Sequence, residues 1–89
     1  MDKMVVEVNG RRAEVEFPAE AGMLSRKLIR GAVEVLLLGA RNINSAASTE
    51  GHEREVKGGI DKGKMHLEFY SWKGDQVIWG GPLKIVILD

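Results

Sequence analysis

The chain has 89 residues, of which 44% are apolar and 29% charged, and thirteen basic side chains balance thirteen acidic ones. This length allows one hydrophobic core, so residues 1–89 are predicted to form a single domain. The lack of cysteine excludes disulfides and thiolate metal sites, and no apolar run is long enough for a membrane helix. These features are typical of a cytoplasmic protein, and the balanced charge disfavours general binding to nucleic acid.

Residues Met4–Phe17 are predicted to form a β-hairpin. The pair Asn9-Gly10 favours a two-residue turn in which both central residues take positive φ. The resulting register pairs Val6 with Ala13 and separates apolar from charged side chains, as a sheet with one buried face requires. The predicted buried face holds Met4, Val6, Ala13, Val15 and Phe17.

A helix is predicted to follow, with Ser25 as its N-cap and Gly39 beyond its last turn. Apolar residues at helical spacing form one broad stripe: Leu28, Ile29, Ala32, Val33, Leu36, Leu37 and Ala40. Val35 and Leu38 fall at or beyond the edge of this stripe, so another element or a second subunit is expected to cover them. A competing interpretation makes Ala32–Leu38 a buried strand, because short apolar runs fit either structure.

The middle of the chain has few apolar residues. Residues 42–51 are predicted to form a loop or a short helical extension, residues 53–57 an edge strand, and residues 58–63 a turn or flexible loop. Gly58–Lys64 has the glycine spacing of a phosphate-binding loop. Met65 follows, however, where such a loop needs Ser or Thr, so no nucleotide site is predicted.

The last third of the chain reads as antiparallel strands. Lys64–Trp72 and Gln76–Trp79 are predicted to form a second hairpin around Lys73–Asp75, and Leu83–Leu88 is apolar enough for a central strand. The predicted fold class is α+β: a β-hairpin, one long amphipathic helix, then a three- to four-stranded antiparallel meander. The helix is expected to pack on one face of a mostly antiparallel sheet.

Two histidines are the best candidates for metal or catalytic chemistry. If His52 and His66 met across neighbouring strands beside a glutamate, the set would suit zinc or iron. Their spacing matches no metal-binding motif, and no serine lies in a nucleophile motif. A small enzyme or metal-binding domain is therefore a second alternative only, and no catalytic residue, metal or cofactor is predicted.

Four of the five aromatic residues lie in the last third of the chain. Because side chains alternate along a strand, Phe69 belongs to the core face while Tyr70 and Trp72 point to the other side. A turn at residues 74–75 pairs Tyr70 with Trp79, which places Trp79 outside and Ile78 in the core. A turn at residues 73–74 loses that pairing but keeps the aromatic residues on the same strands.

The predicted function is binding without catalysis, by a protein-binding or self-associating module that forms a homo-oligomer. The predicted contact residues are Tyr70, Trp72 and Trp79 on the sheet, with Val35 and Leu38 on the helix. The alternative is single-stranded nucleic acid, whose bases would stack on the aromatic residues. Its phosphates would meet Lys57, Lys62, Lys64 and Lys73. No motif identifies a family, and the partner and oligomeric state stay open.

Overall fold

The computed structural model describes all 89 residues and has the predicted α+β class, with one helix packed against two antiparallel sheets. The elements are β1 (Asp2–Val8), β2 (Arg11–Phe17), α1 (Met23–Leu37), β3 (Asn42–Thr49), β4 (His52–Asp61), β5 (Lys64–Lys73), β6 (Gln76–Leu83) and β7 (Ile85–Ile87). The strand orders are β1-β2-β7 and β3-β4-β5-β6. With 15 residues, α1 is neither long nor apolar enough to cross a membrane.

The first hairpin is confirmed in its turn, register and burial. Asn9 and Gly10 take φ values of 51° and 81°, as the two-residue turn requires. Val6 pairs with Ala13, and both side chains are buried. Turn chemistry and apolar alternation therefore determine this hairpin locally, before any other element packs on it.

The helix is confirmed through residue 37, with Leu38 as its C-cap, so the competing strand interpretation of residues 32–38 is wrong. It begins at Met23, and its N-cap is Gly22, three residues before the predicted N-cap Ser25, with no side-chain hydrogen bond at the cap. Ser25 instead lies buried in the first turn, where its hydroxyl bonds to another element. Gly39 follows the helix with a φ of 111°, a conformation that glycine adopts without a Cβ penalty.

Three predictions for the middle of the chain are wrong. Residues 42–49 form strand β3, which packs against α1 through the inward side chains of Ile43, Ser45 and Ala47. β4 is an interior strand between β3 and β5, not an edge strand. It continues to Asp61, so the turn before β5 is only Lys62-Gly63. These strands were not predicted because their side chains are mostly small or polar. Neighbouring elements supply the apolar packing that these side chains lack.

The predicted central strand Leu83–Leu88 divides between the two sheets. Leu83 ends β6 with its side chain buried in the second sheet, whereas Ile87 pairs with Ala13 at the edge of the first. At the junction, the Glu16 N–H donates to the Lys84 carbonyl at 2.9 Å. The segment is apolar on both sides because Leu83 belongs to the second sheet and Ile85–Ile87 belong to the first.

A β-bulge in the second hairpin corrects the predicted position of Trp79. Trp72 faces Val77 as expected, but Ser71 faces Trp79, which leaves Ile78 as an extra residue. Side-chain alternation is therefore inverted beyond the bulge. Trp79 packs against the core, with its ring centroid 6.0 Å from that of Phe69, and Ile78 is 51% exposed instead of buried.

The core lies between α1 and the inward faces of both sheets. Its buried apolar residues are Val6, Ala13, Val15, Phe17, Ile29, Ala32, Val33, Leu36, Leu37, Val56, Met65, Leu67, Phe69 and Leu83. All elements except β3 and the short β7 contribute to it, so one cluster unites the two sheets.

Candidate functional site

The second sheet has an outer face, directed away from α1, that no element of the chain covers. Tyr70 and Trp72 stack on this face, with ring centroids 6.0 Å apart and an interplanar angle of 14°. The Tyr70 ring also lies over Gly80, where an added Cβ would come within 2.9 Å of the tyrosine Cδ1 atom. Two of the three predicted platform residues therefore share a face with Val77 and Pro82, and Trp79 does not.

Carboxylates surround the two outward rings. The Tyr70 hydroxyl donates to the Glu68 carboxylate at 2.8 Å, and this hydrogen bond is the main reason that the pKa of Tyr70 is raised. In the neighbouring strand Glu55 faces Tyr70, and Glu53 faces Trp72. The aromatic surface is therefore acidic, which opposes a ligand carrying phosphates.

The lysines predicted to meet phosphates do not form a track beside the rings. Lys57 pairs with Glu55, with Nζ and Oε1 3.2 Å apart. Lys62 and Lys64 lie at one end of β5 and Lys73 at the other, about 30 Å away at about 3.3 Å per residue. This distribution gives no support to the nucleic-acid alternative.

Val35 and Leu38 lie on the side of α1 that faces away from both sheets, with exposed fractions of 39% and 61%. The outer face lies on the far side of the second sheet from α1. Val35 and Leu38 therefore lie on the opposite surface of the protein from Tyr70 and Trp72. The predicted contact residues do not make one continuous patch.

The two histidines do not meet. His52 pairs with Lys73 at one end of the β4–β5 ladder, and His66 pairs with Gly59 toward the other end, about 23 Å along the strand. They also point to opposite faces of the sheet. No group of three metal-binding side chains forms anywhere in the structure. The geometry therefore gives no support to the second alternative, in which His52 and His66 share a metal ion.

A cavity of about 260 Å³ is a concave feature that the sequence analysis missed. It lies where the connector before α1 and the first helical turn meet the second sheet. Phe69 and Trp79 line its apolar part, and Ser25, His52 and Ser71 line its polar part. We refer to it as the helix-start cavity. Its walls come from four separate stretches of chain, so only the tertiary fold assembles it.

Arg54 orders the polar wall of the helix-start cavity. Its Nε donates to the Ser25 hydroxyl at 3.1 Å, and its terminal Nη2 donates to Nδ1 of His52 at 2.9 Å. Because a guanidinium has only donors, His52 must accept at Nδ1 and carry its proton on Nε2. Nε2 then donates to the Ser71 hydroxyl at 2.9 Å.

This hydrogen-bond direction is the reverse of the one that activates a serine nucleophile. A catalytic histidine accepts the serine proton at Nε2 while a carboxylate holds its Nδ1–H. Here an arginine occupies the position of the carboxylate, and Ser71 accepts rather than donates. The arrangement holds two buried hydroxyls in place and does not make Ser71 a stronger nucleophile.

We predict that the free energy of unfolding falls as the pH drops from 7.5 to 5.5. Burial, followed by the charges of Arg54 and Lys73, lowers the pKa of His52 below its ordinary value of 6.5. The unfolded chain therefore binds a proton first as the pH falls through about 6.5, and this favours unfolding. Urea denaturation across this range measures the slope.

His52→Asn is expected to reduce that pH slope, whatever it does to stability at pH 7.5. His66→Asn is the matched control for the histidine-to-asparagine change, because His66 is exposed on the outer face, toward the other end of the β4–β5 ladder from Lys73. Equal slopes in the parent and in His52→Asn would show that His52 titrates alike in the folded and unfolded chains.

No family model, curated protein or solved structure matches this chain. A functional assignment must therefore come from its own geometry: the outer face, the edges of the second sheet and the helix-start cavity.

Proposed function

We propose that the protein is a self-associating binding module, a homodimer formed through its second sheet, rather than an enzyme. The observation that carries this proposal is strand β3, an eight-residue sheet edge with nothing to protect it. The outer face, next to that edge, supplies the surface for a further protein partner.

β3 has none of the sequence features that prevent the edges of natural sheets from pairing with one another. Residues Asn42–Thr49 include no charged side chain and no proline, and their pairing with β4 continues without a bulge. Sheet edges are normally blocked by charges, prolines, bulges or a covering element, because free N–H and C=O groups recruit other strands. β3 is therefore a template for strand addition.

The direction of the free backbone groups follows from one hydrogen bond. The Ile60 N–H donates to the Arg41 carbonyl at 3.0 Å, and bonded and non-bonded pairs alternate along an antiparallel ladder. Residues 43, 45 and 47 therefore bond to β4. Residues 42, 44, 46 and 48 direct their backbone groups toward the open edge, and their side chains lie on the outer face.

A second copy of β3 is the proposed occupant of this edge. Two uncharged strands approach without repulsion, and an antiparallel pair about a twofold axis satisfies both edges at once. An axis perpendicular to the sheet keeps both outer faces on the same side. The dimer would then have an eight-stranded sheet carrying two Tyr70–Trp72 pairs, with Glu53 and Glu55 favouring a partner that has basic residues.

Ala46→Lys is expected to convert the dimer to a monomer. The new charge lies beside the backbone groups that pair, and two copies would bring like charges together across the axis. Within one subunit the lysine would face Glu55, so the fold is expected to remain intact. Light scattering after gel filtration should give about twice 9.8 kDa for the parent and 9.8 kDa for the variant.

Two controls separate edge pairing from other modes of association. Val86→Lys also places a lysine opposite a glutamate, Glu14, but in the first sheet, and should remain dimeric. Trp72→Ser, two strands from the β3 edge, should also remain dimeric. A parent of monomeric mass would end the proposal. A dimer that survives Ala46→Lys and is lost in Trp72→Ser would place the interface on the outer face instead.

A further inference from the structure

We propose that the helix-start cavity binds a small organic carboxylate, with its charged group against Ser25, Ser71 and His52 and its apolar part against Phe69 and Trp79. This inference is independent of the proposed dimer, because no residue of β3 lines the cavity.

The two buried hydroxyl protons of Ser25 and Ser71 indicate that the cavity binds a ligand oxygen. Ser25 and Ser71 are only 4% and 5% exposed, and each hydroxyl accepts one hydrogen bond, from Arg54 and from His52 respectively. A hydroxyl that accepts still has a proton to donate, and the structure provides no acceptor for either proton. A buried donor without a partner costs free energy that a bound oxygen would recover.

The charges around the polar wall favour an anion. Arg54 has no carboxylate within ion-pair distance, and its four hydrogen bonds go to uncharged groups of His52, Ser25 and Thr49. Lys73 adds a second positive charge opposite His52 in the β4–β5 ladder. Glu20 is the one carboxylate on the lining, and it is exposed to solvent, which screens its charge.

The apolar wall and the volume limit the size of the ligand. Phe69 and Trp79 offer tilted rings with centroids 6.0 Å apart. The volume of about 260 Å³ lies below the roughly 300–1,000 Å³ of sites for drug-sized molecules. A monocarboxylate with a single ring or a branched aliphatic chain fits both limits.

Phenylacetate and phenylacetamide make a matched pair of probes, because they share the ring and differ in the charge of the head group. In a Trp72→Phe background, Trp79 is the only tryptophan and reports on the cavity. Its fluorescence and its indole N–H resonance should change saturably with phenylacetate. The amide should bind about tenfold more weakly, because a hydrogen bond to a charged acceptor is stronger than one to a neutral acceptor.

Ser71→Ala in the same background should weaken phenylacetate binding about tenfold, because it removes one of the two free hydroxyl donors. Ser45→Ala is the control, a serine of the same sheet that does not line the cavity. Three results would overturn the proposal: no saturation below about 10 mM phenylacetate, equal affinity for the amide, or unchanged affinity in Ser71→Ala. The dispersion of the backbone amide resonances, followed by NMR, checks that the variant keeps its fold.

Discussion

Phe69→Ala is expected to lower the free energy of unfolding by about 3–5 kcal/mol, the usual cost of removing a buried phenylalanine ring. Phe69 is 2% exposed, faces Val56 across the β4–β5 ladder and packs against Trp79. The substitution would leave a cavity at the centre of the second sheet. Small domains have total stabilities of about 5–15 kcal/mol, so urea denaturation should show a large shift of the midpoint.

Tyr70→Ser, at the next residue, is the matched control for that prediction. Its ring lies on the uncovered outer face, where substitutions usually change stability by about 1 kcal/mol or less. The expected losses are therefore unequal for two adjacent aromatic residues. Similar losses in both variants would mean that the strand does not divide its side chains between core and solvent as described.

Gly58→Ala is expected to destabilise the protein by about 3 kcal/mol, the upper part of the range for overpacking a tightly packed site. A Cβ at this position would collide with the backbone carbonyl oxygen of His66 and would lie 2.6 Å from Cδ2 of Leu67. Both contacts belong to β5, so relief requires the two strands to separate. Chemical denaturation at neutral pH measures the loss.

Gly31→Ala is the comparison for Gly58→Ala and should have the opposite sign. A Cβ at Gly31 meets nothing within 4 Å on the exposed side of α1. Alanine in a helix is favoured over glycine by roughly 0.5–1 kcal/mol, so this variant should be more stable than the parent. A loss of stability in Gly31→Ala, or none in Gly58→Ala, would contradict the packing described for these two glycines.

Features of the candidate sites that depend on residues close together in the sequence were predictable, and features that depend on distant residues were not. Tyr70 and Trp72 were assigned to the outer side correctly, because alternation is a local property of one strand. Trp79 was misplaced because a single bulge residue inverts the alternation of β6. The side chains give no local sign of that bulge, since Ile78 and Trp79 are both acceptable core residues.

The helix-start cavity was beyond sequence reasoning for a different reason. Its polar wall depends on the register that sets Arg54 opposite Ser71, and no register was predicted between the strand at residues 53–57 and β5. Ser25 was given a capping role by its position near a predicted helix start. In the fold it bonds to a residue 29 positions away.

The amino-acid sequence alone determined the first hairpin, the apolar stripe of α1 and the α+β class. Each rests on contacts between near neighbours: the Asn9-Gly10 turn, residues one helical turn apart, and strict alternation. Only the tertiary structure decided that β3 is a strand, that the last segment divides between two sheets and that the polar wall assembles. Those features depend on pairing partners distant in the chain, and a strand of small polar residues is stabilised by its neighbours rather than by its own side chains.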